Sequence, residues 1–190
     1  MLKSRVLGQG RVVLILHGLF GDSKNWISCA SILAEHFEVH LVDLRNHGSS
    51  FHSKSHNYEI MAKDIYDYIC LSKLNNYSIV GHSMGGKVAM QYALMSTCYG
   101  LDRLVIVDIA PKKYSQSHSH IFSALREVTQ LARSKKEAFR ILESKINNQL
   151  ISNFLLKSLV VSETGVSSFS FNWQSLENNL ESLMDRIYSD

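Results

Sequence analysis

The run Gly81-His82-Ser83-Met84-Gly85-Gly86 constrains this chain more than any other stretch, because of what stands on either side of it. Before it lies Tyr77-Ser78-Ile79-Val80, a short apolar stretch suited to a buried strand, and after it the apolar residues from Met84 to Ser96 follow helical spacing. A Gly-x-Ser-x-Gly pentapeptide at a strand-to-helix junction makes a sharp turn, which small flanking residues permit. The serine hydroxyl is then projected beyond the carboxyl edge of the sheet. The flanking elements favour a nucleophile position at Ser83 over a glycine-rich turn with an idle serine.

Three further runs, Val12–Leu16, Val39–Val42 and Leu104–Val107, are rich in β-branched residues and end at polar or glycine-bearing turns, so they read as buried parallel strands. Helical spacing fills the intervals Ser23–His36 and Tyr58–Leu74. Such alternation implies right-handed crossovers, hence an α/β fold with a mostly parallel sheet and helices on both faces. After the only proline, Pro111, the pattern changes. Ile121–Leu131, Lys135–Ile146, Leu150–Val160 and Leu176–Tyr188 are expected to be helices, with no convincing strand among them. Ser162–Ser170 reads as a loop, or as a short irregular strand around Phe169-Ser170-Phe171. The expected organisation is a core over residues 1–111 and a helical, cap-like region over 112–190; 190 residues suit a single hydrophobic core.

Composition excludes some function classes. The net charge of +3 is spread over single basic residues and short pairs such as Lys112-Lys113 and Lys135-Lys136, so no stripe for nucleic acid emerges. Val12–Leu16 is too short to span a bilayer, and the first residues lack a signal peptide's charged, apolar and small-residue sequence. Cys29, Cys70 and Cys98 are odd in number and widely spaced, which fits buried thiols in a reducing compartment rather than a disulfide framework. A cytoplasmic protein is expected.

His17-Gly18-Leu19-Phe20-Gly21 directly follows the first of these strands, where a glycine-containing loop can aim backbone N–H groups at the space above Ser83. The amides of Leu19 and Met84 are the candidate oxyanion donors, while Phe20 and His82 are the candidate substrate-lining residues. His17 is given a structural role. Asp43-Leu44-Arg45-Asn46-His47-Gly48-Ser49-Ser50 reads as scaffold tied down by local hydrogen bonds. Asp108 follows Leu104–Val107 and stands at the same sheet edge as Ser83, either as a catalytic acid or as a cap for the next segment. Trp26, Phe122 and Phe154 join Phe20 as lining residues, or belong to the core.

The stretches H-G-L-F-G-D at 17–22, D-L-R-N-H-G-S-S at 43–50, G-H-S-M-G-G-K at 81–87 and D-I-A-P at 108–111 resemble the α/β-hydrolase superfamily, most closely its compact serine-esterase branch. They span Val12 to Pro111, and the helical region around Asn153–Ser158 looks like that family's cap. The resemblance implies hydrolysis of a small acyl ester or thioester through an acyl-serine intermediate, with no metal and no organic cofactor. In some members the acid follows the strand after the nucleophile helix, which makes Asp108 its counterpart.

The family's triad runs Ser, Asp, His along the chain, with the histidine after the last strand. Here all nine histidines lie at or before His120, and two terminal strand-helix units, of about 30 residues each, have no counterpart. The sheet is therefore expected to be truncated and turnover low, since loss of a triad member leaves a residual ~10³–10⁴-fold over water. His118 and His120, just beyond Asp108, and His47, His52 and His56 are weak candidates to replace the base. The alternative is a catalytically impaired hydrolase-like protein or a binding module; other chemistries of the fold, such as acyl transfer, have less to recommend them. An exposed Leu104–Val107 edge predicts self-association.

Overall fold

Every one of the four apolar runs lies within a strand of one sheet. The computed structural model describes residues 1–115 and 118–187. The strands are β1 (Lys3–Leu7), β2 (Arg11–Leu16), β3 (Phe37–Asp43), β4 (Tyr77–His82) and β5 (Leu101–Val107), in the spatial order β1-β3-β2-β4-β5. All neighbours are parallel except β1, which pairs antiparallel with β3 from Lys3 opposite Asp43 to Leu7 opposite Val39.

Strand pleating sends alternate residues to opposite faces. Val13 and Ile15 of β2, with Val39 and Leu41 of β3, pack against α1 (Ile27–Leu33) through Ala30. Leu14, Leu16, Val42 and Ile79 face the other way, toward α2 (Tyr58–Leu71) and α3 (Met84–Ala93), where Met61, Ile65, Val88 and Ala89 are fully buried. Helices thus cover both faces. The expected helix over Ser23–His36 begins as a 3₁₀ turn, Ser23–Trp26, capped by the Asp22 side chain, before α1 takes over.

Past Pro111 come α4 (Ser119–Leu131), α5 (Lys135–Ile146) and α6 (Gln149–Leu156). Two strands follow where the sequence shows no convincing one beyond a short irregular strand around Phe169-Ser170-Phe171. The helix expected over Leu150–Val160 stops at Leu156, and Leu159–Val161 becomes β6, paired antiparallel with β7 (Ser167–Phe169). The Leu159-Val160-Val161 run favours extended backbone, and Gly165 at φ +77° lets the chain reverse between the two strands. The helix expected over Leu176–Tyr188 is instead two short pieces, α7 (Trp173–Asn178) and α8 (Leu180–Met184); Tyr188 lies outside the described residues. Asn179 separates them because its side chain accepts from the His56 N–H and donates to the Lys54 carbonyl at 2.8 Å. Buried residues of these later elements, including Phe122, Leu125, Leu142, Phe171 and Leu176, form one continuous cluster with those of the sheet.

The cysteines also depart from expectation. Cys29 and Cys70 are exposed and Cys98 is half-buried, all three as free thiols. Only Cys98 packs against the core. Among the described residues no helix is long and apolar enough to cross a membrane.

β5 ends the sheet, and among the described residues nothing pairs with its outer edge. Leu104 and Val105, on opposite faces, are 37% and 47% exposed.

Candidate active site

Ser83 joins β4 to α3 with φ 50° and ψ −119°, a conformation that costs a non-glycine residue about 1–3 kcal/mol and persists only when its surroundings impose it. They do so here from two sides. The Ser83 N–H donates to the Val107 carbonyl at 3.0 Å, while the Ser83 carbonyl accepts from Gly86 N–H at 2.9 Å and opens the helix. Gly85 presses α3 onto β2 so closely that a Cβ there would stand 2.4 Å from the Leu16 carbonyl oxygen and 2.6 Å from that of His17. The serine therefore sits at the N-terminus of a helix, where free N–H groups and the helix dipole favour negative charge.

The loop after β2 approaches this elbow directly. A Cβ on Gly18 would lie 2.9 Å from His82 Nδ1 and 3.3 Å from the Ser83 Cβ. Gly21 N–H closes the turn onto the Gly18 carbonyl at 3.1 Å, and Phe20 adopts φ +63°. Phe20 is buried between the rings of Phe122 and Phe171, at centroid distances of 5.6 and 5.1 Å. Among the described residues, the Leu19 and Met84 N–H groups make no hydrogen bond to protein.

Two adjoining cavities meet at Ser83. One, of about 460 Å³, brings together Ser83, Leu19, Met84 and Asp108 with Lys87 and Tyr114. The other, of about 420 Å³, is lined by Leu19, Phe20, His82 and Ser83, with Trp26 and Phe154. Every site residue singled out in the sequence thus borders one or both, whereas Phe122 is core. Asp108 follows β5 at φ +55° and is exposed.

Lys87, one turn beyond Ser83, ends the G-H-S-M-G-G-K stretch, which does not show what its side chain reaches. Its side chain is buried, and Nζ donates to the Asp185 carbonyl and lies 5.5 and 4.9 Å from the ring centres of Tyr58 and Tyr114. Burial lowers its pKa from the ordinary lysine value. With Tyr58 Oη donating to the Leu183 carbonyl at 2.7 Å, it ties the stretch after α8 to the wall of the larger cavity. These contacts join residues about a hundred positions apart, which local patterning does not reveal.

The loop after β3 is built as scaffold. The Asp43 carboxylate accepts from Ser23 N–H at 2.7 Å and Ser49 N–H at 2.9 Å, and Arg45 pairs with Asp64 through both Nε and Nη2. Asn46, fully buried at φ +64°, accepts from Ser53 N–H at 2.7 Å and reaches Ser175 Oγ at 3.2 Å. Of the histidines considered as replacement bases, His47 and His56 are buried and border neither cavity, and His52 and His120 are exposed. His118 lines the larger cavity with Ser83 and Asp108. Burial pushes the pKa of His17, His47 and His56 down, for His56 to about 3.

Comparison with known proteins places this arrangement among relatives. A family profile described as alpha/beta hydrolase fold matches residues 11–139. A solved marine microorganism esterase is 37% identical and superimposes with a TM-score of 0.92, over 98% of this chain and 74% of that one. Esterase YbfF of Escherichia coli is 35% identical over 153 residues, or 80% of this chain and 60% of the relative. A Saccharomyces cerevisiae protein named probable alcohol acetyltransferase is 37% identical over 175 residues, 84% of this chain and 51% of the relative. The chain spans between about half and three fifths of the length of these two curated relatives.

Proposed function

This chain belongs to the α/β-hydrolase fold family, and from that premise we propose that it is a serine hydrolase of the carboxylesterase or thioesterase type, acting on small acyl esters. The observation that carries this reading is the pair of free N–H groups, Leu19 and Met84, bordering the same cavity as a serine held in a strained elbow. In this scheme Ser83 Oγ bonds to the acyl carbon as its proton passes to a base, and the carbonyl oxygen gains negative charge between the two amides. Collapse breaks the bond to the alcohol or thiol, which leaves with the proton. Water then repeats the attack and frees the acid. Two preorganised donors matter because loss of one typically costs ~10²–10³ in turnover.

Asp108 serves as the acid that orients the base and stabilises its charged form. In the family's chain order the base is a histidine after the last strand. Within this chain, His118 is the resident candidate, since it borders the cavity with both Ser83 and Asp108. Phe20 and His82 line the acyl side. Hydrolysis of a short p-nitrophenyl ester should show acylation that disappears in Ser83→Ala, and ester cleavage indifferent to that substitution contradicts the scheme.

A second reading, an impaired hydrolase or a binding module, draws support from the exposure of Asp108. It predicts acylation of Ser83 without turnover. Transfer of the acyl group to an alcohol instead of water is the variant favoured by the yeast relative's name.

The chain's partners on this reading are the small-molecule ester or thioester and a second copy of itself. Free thiols at Cys29, Cys70 and Cys98 support a reducing, cytoplasmic setting. The open edge of β5, with Leu104 and Val105 exposed on its two faces, supports self-association. Light scattering coupled to gel filtration should return a mass above 21.5 kDa that falls toward that value in Val105→Lys. A monomer at all concentrations for the unmodified chain contradicts it.

A further inference from the structure

Two buried histidines reach across between the loops after β2 and β3 in opposite directions. His17, in the first loop, accepts the Leu44 N–H of the second at 3.0 Å through Nε2. His47, in the second, accepts the Phe20 N–H of the first at 3.2 Å, again through Nε2. An amide N–H can only donate, so both Nε2 atoms are bare and each ring carries its proton on Nδ1. Those protons also have acceptors: His17 Nδ1–H donates to the Gly18 carbonyl at 2.9 Å, and His47 Nδ1–H to the Arg45 carbonyl at 2.9 Å. The rings stand 5.0 Å apart, and neither residue is more than 1% exposed.

The peptide bonds involved explain why this matters. Gly18 C=O and Leu19 N–H belong to one planar unit, and Leu19 C=O and Phe20 N–H to the next. His17 holds the oxygen of the first plane, and His47 holds the N–H of the second. With every described peptide trans, pinning the Gly18 oxygen to His17 turns the Leu19 N–H away from that ring. The left-handed backbone of Phe20, unfavourable for a non-glycine residue, is held by the same bond to His47.

We propose that His17 and His47 form a reciprocal imidazole brace that fixes the two peptide planes flanking Leu19, and are positioning residues for the Leu19 N–H. The proposal rests on Ser83 as nucleophile and Leu19 as oxyanion donor, but its structural half stands separately. Neither imidazole acts as the base: both ring nitrogens of each are already engaged with backbone.

Three readouts on the full chain test it. At pH 7, two-bond ¹H–¹⁵N correlation should show His17 and His47 neutral with the proton on Nδ1, and the Nε2–H form in either overturns the brace. Labelling of Ser83 by a fluorophosphonate should slow by ~10²-fold in His47→Phe, which fills the space without an acceptor. His47→Gln, whose amide oxygen can accept from Phe20, should recover to within about tenfold of the unmodified rate. Hydrogen exchange at the Phe20 amide should follow the same order, slow in the parent and His47→Gln and fast in His47→Phe. A folded His47→Phe that labels as fast as the parent overturns the proposal, as does His47→Gln labelling no faster than His47→Phe. If the parent chain itself fails to label, the nucleophile reading falls, and the tautomers and the Phe20 exchange still decide the brace.

Discussion

Lowering the pH from 7 to 4.5 should strongly destabilise this protein, before most of its carboxylates titrate. His17, His47 and His56 are held neutral in the fold, each with its pKa lowered by burial, and neighbouring histidines reinforce this for His47. In the unfolded chain they titrate near 6.5. The unfolded state therefore binds protons that the folded state refuses, so the stability these residues contribute is intact above about pH 6.5. It is lost as the pH falls toward their folded values, about 3 for His56. A histidine titrating only in the unfolded state costs about 1.4 kcal/mol per pH unit, so His56 alone costs roughly 3 kcal/mol by pH 4.5, and His17 and His47 add to it in the same direction. Native domains are stable by about 5–15 kcal/mol, so that loss is a substantial fraction of the whole. Urea midpoints measured between pH 7 and 4.5 should fall below pH 6.5, and His56→Asn should make that fall shallower. Midpoints unchanged between pH 7 and 5 contradict the burial of neutral imidazoles.

Gly85→Ala should damage both the fold and the elbow with a single methyl group. Its Cβ would stand 2.4 Å from a backbone oxygen of β2, so the strain cannot be relieved by a side chain swinging aside. Either α3 lifts from the sheet or β2 bends, and both displace the elbow relative to the Leu19 loop. Overpacking in a tight core commonly costs about 1–3 kcal/mol, and this position belongs at or beyond the top of that range. For a chain of this length, about 3 kcal/mol lowers the melting temperature by roughly 6–12 °C. Calorimetry would show it, and a Gly85→Ala variant melting within a degree or two of the parent would mean that β2 and α3 are not in this contact.

What was legible in the sequence follows from where the determining contacts lie. β2, β3, β4 and β5 announce themselves because most are flanked by neighbours and carry continuous apolar runs. β1 does not: Lys3-Ser4-Arg5-Val6-Leu7 is exposed along almost its full length, and an antiparallel edge strand needs no apolar run to pair with β3. The β6–β7 hairpin was hidden because Leu150–Val160 keeps helical spacing up to Leu156 and only then changes period. The break at Asn179 depends on Lys54 and His56, more than a hundred residues away.

The site shows the same division. Ser83, Met84 and Leu19 were readable because elbow and loop are encoded by glycines at fixed spacing within one turn each. Asp108 was readable from its place at the end of a strand. Leu183 and Met184 were not, because the larger cavity is closed by chain that returns from the helical region. The loop at Asp43–Ser50 reads in the sequence as tied down by local hydrogen bonds, and only the structure shows the Phe20 N–H that its His47 receives.

The central claim is that the elbow presents Ser83 as a nucleophile beside two free amides. Intact-mass spectrometry after exposure to a fluorophosphonate, with peptide mapping, tests it most directly. The expected result is a single adduct on Ser83, absent in Ser83→Ala and unaffected by alkylation of Cys29 and Cys70. A folded protein that acquires no adduct, or acquires it on another residue, contradicts the claim.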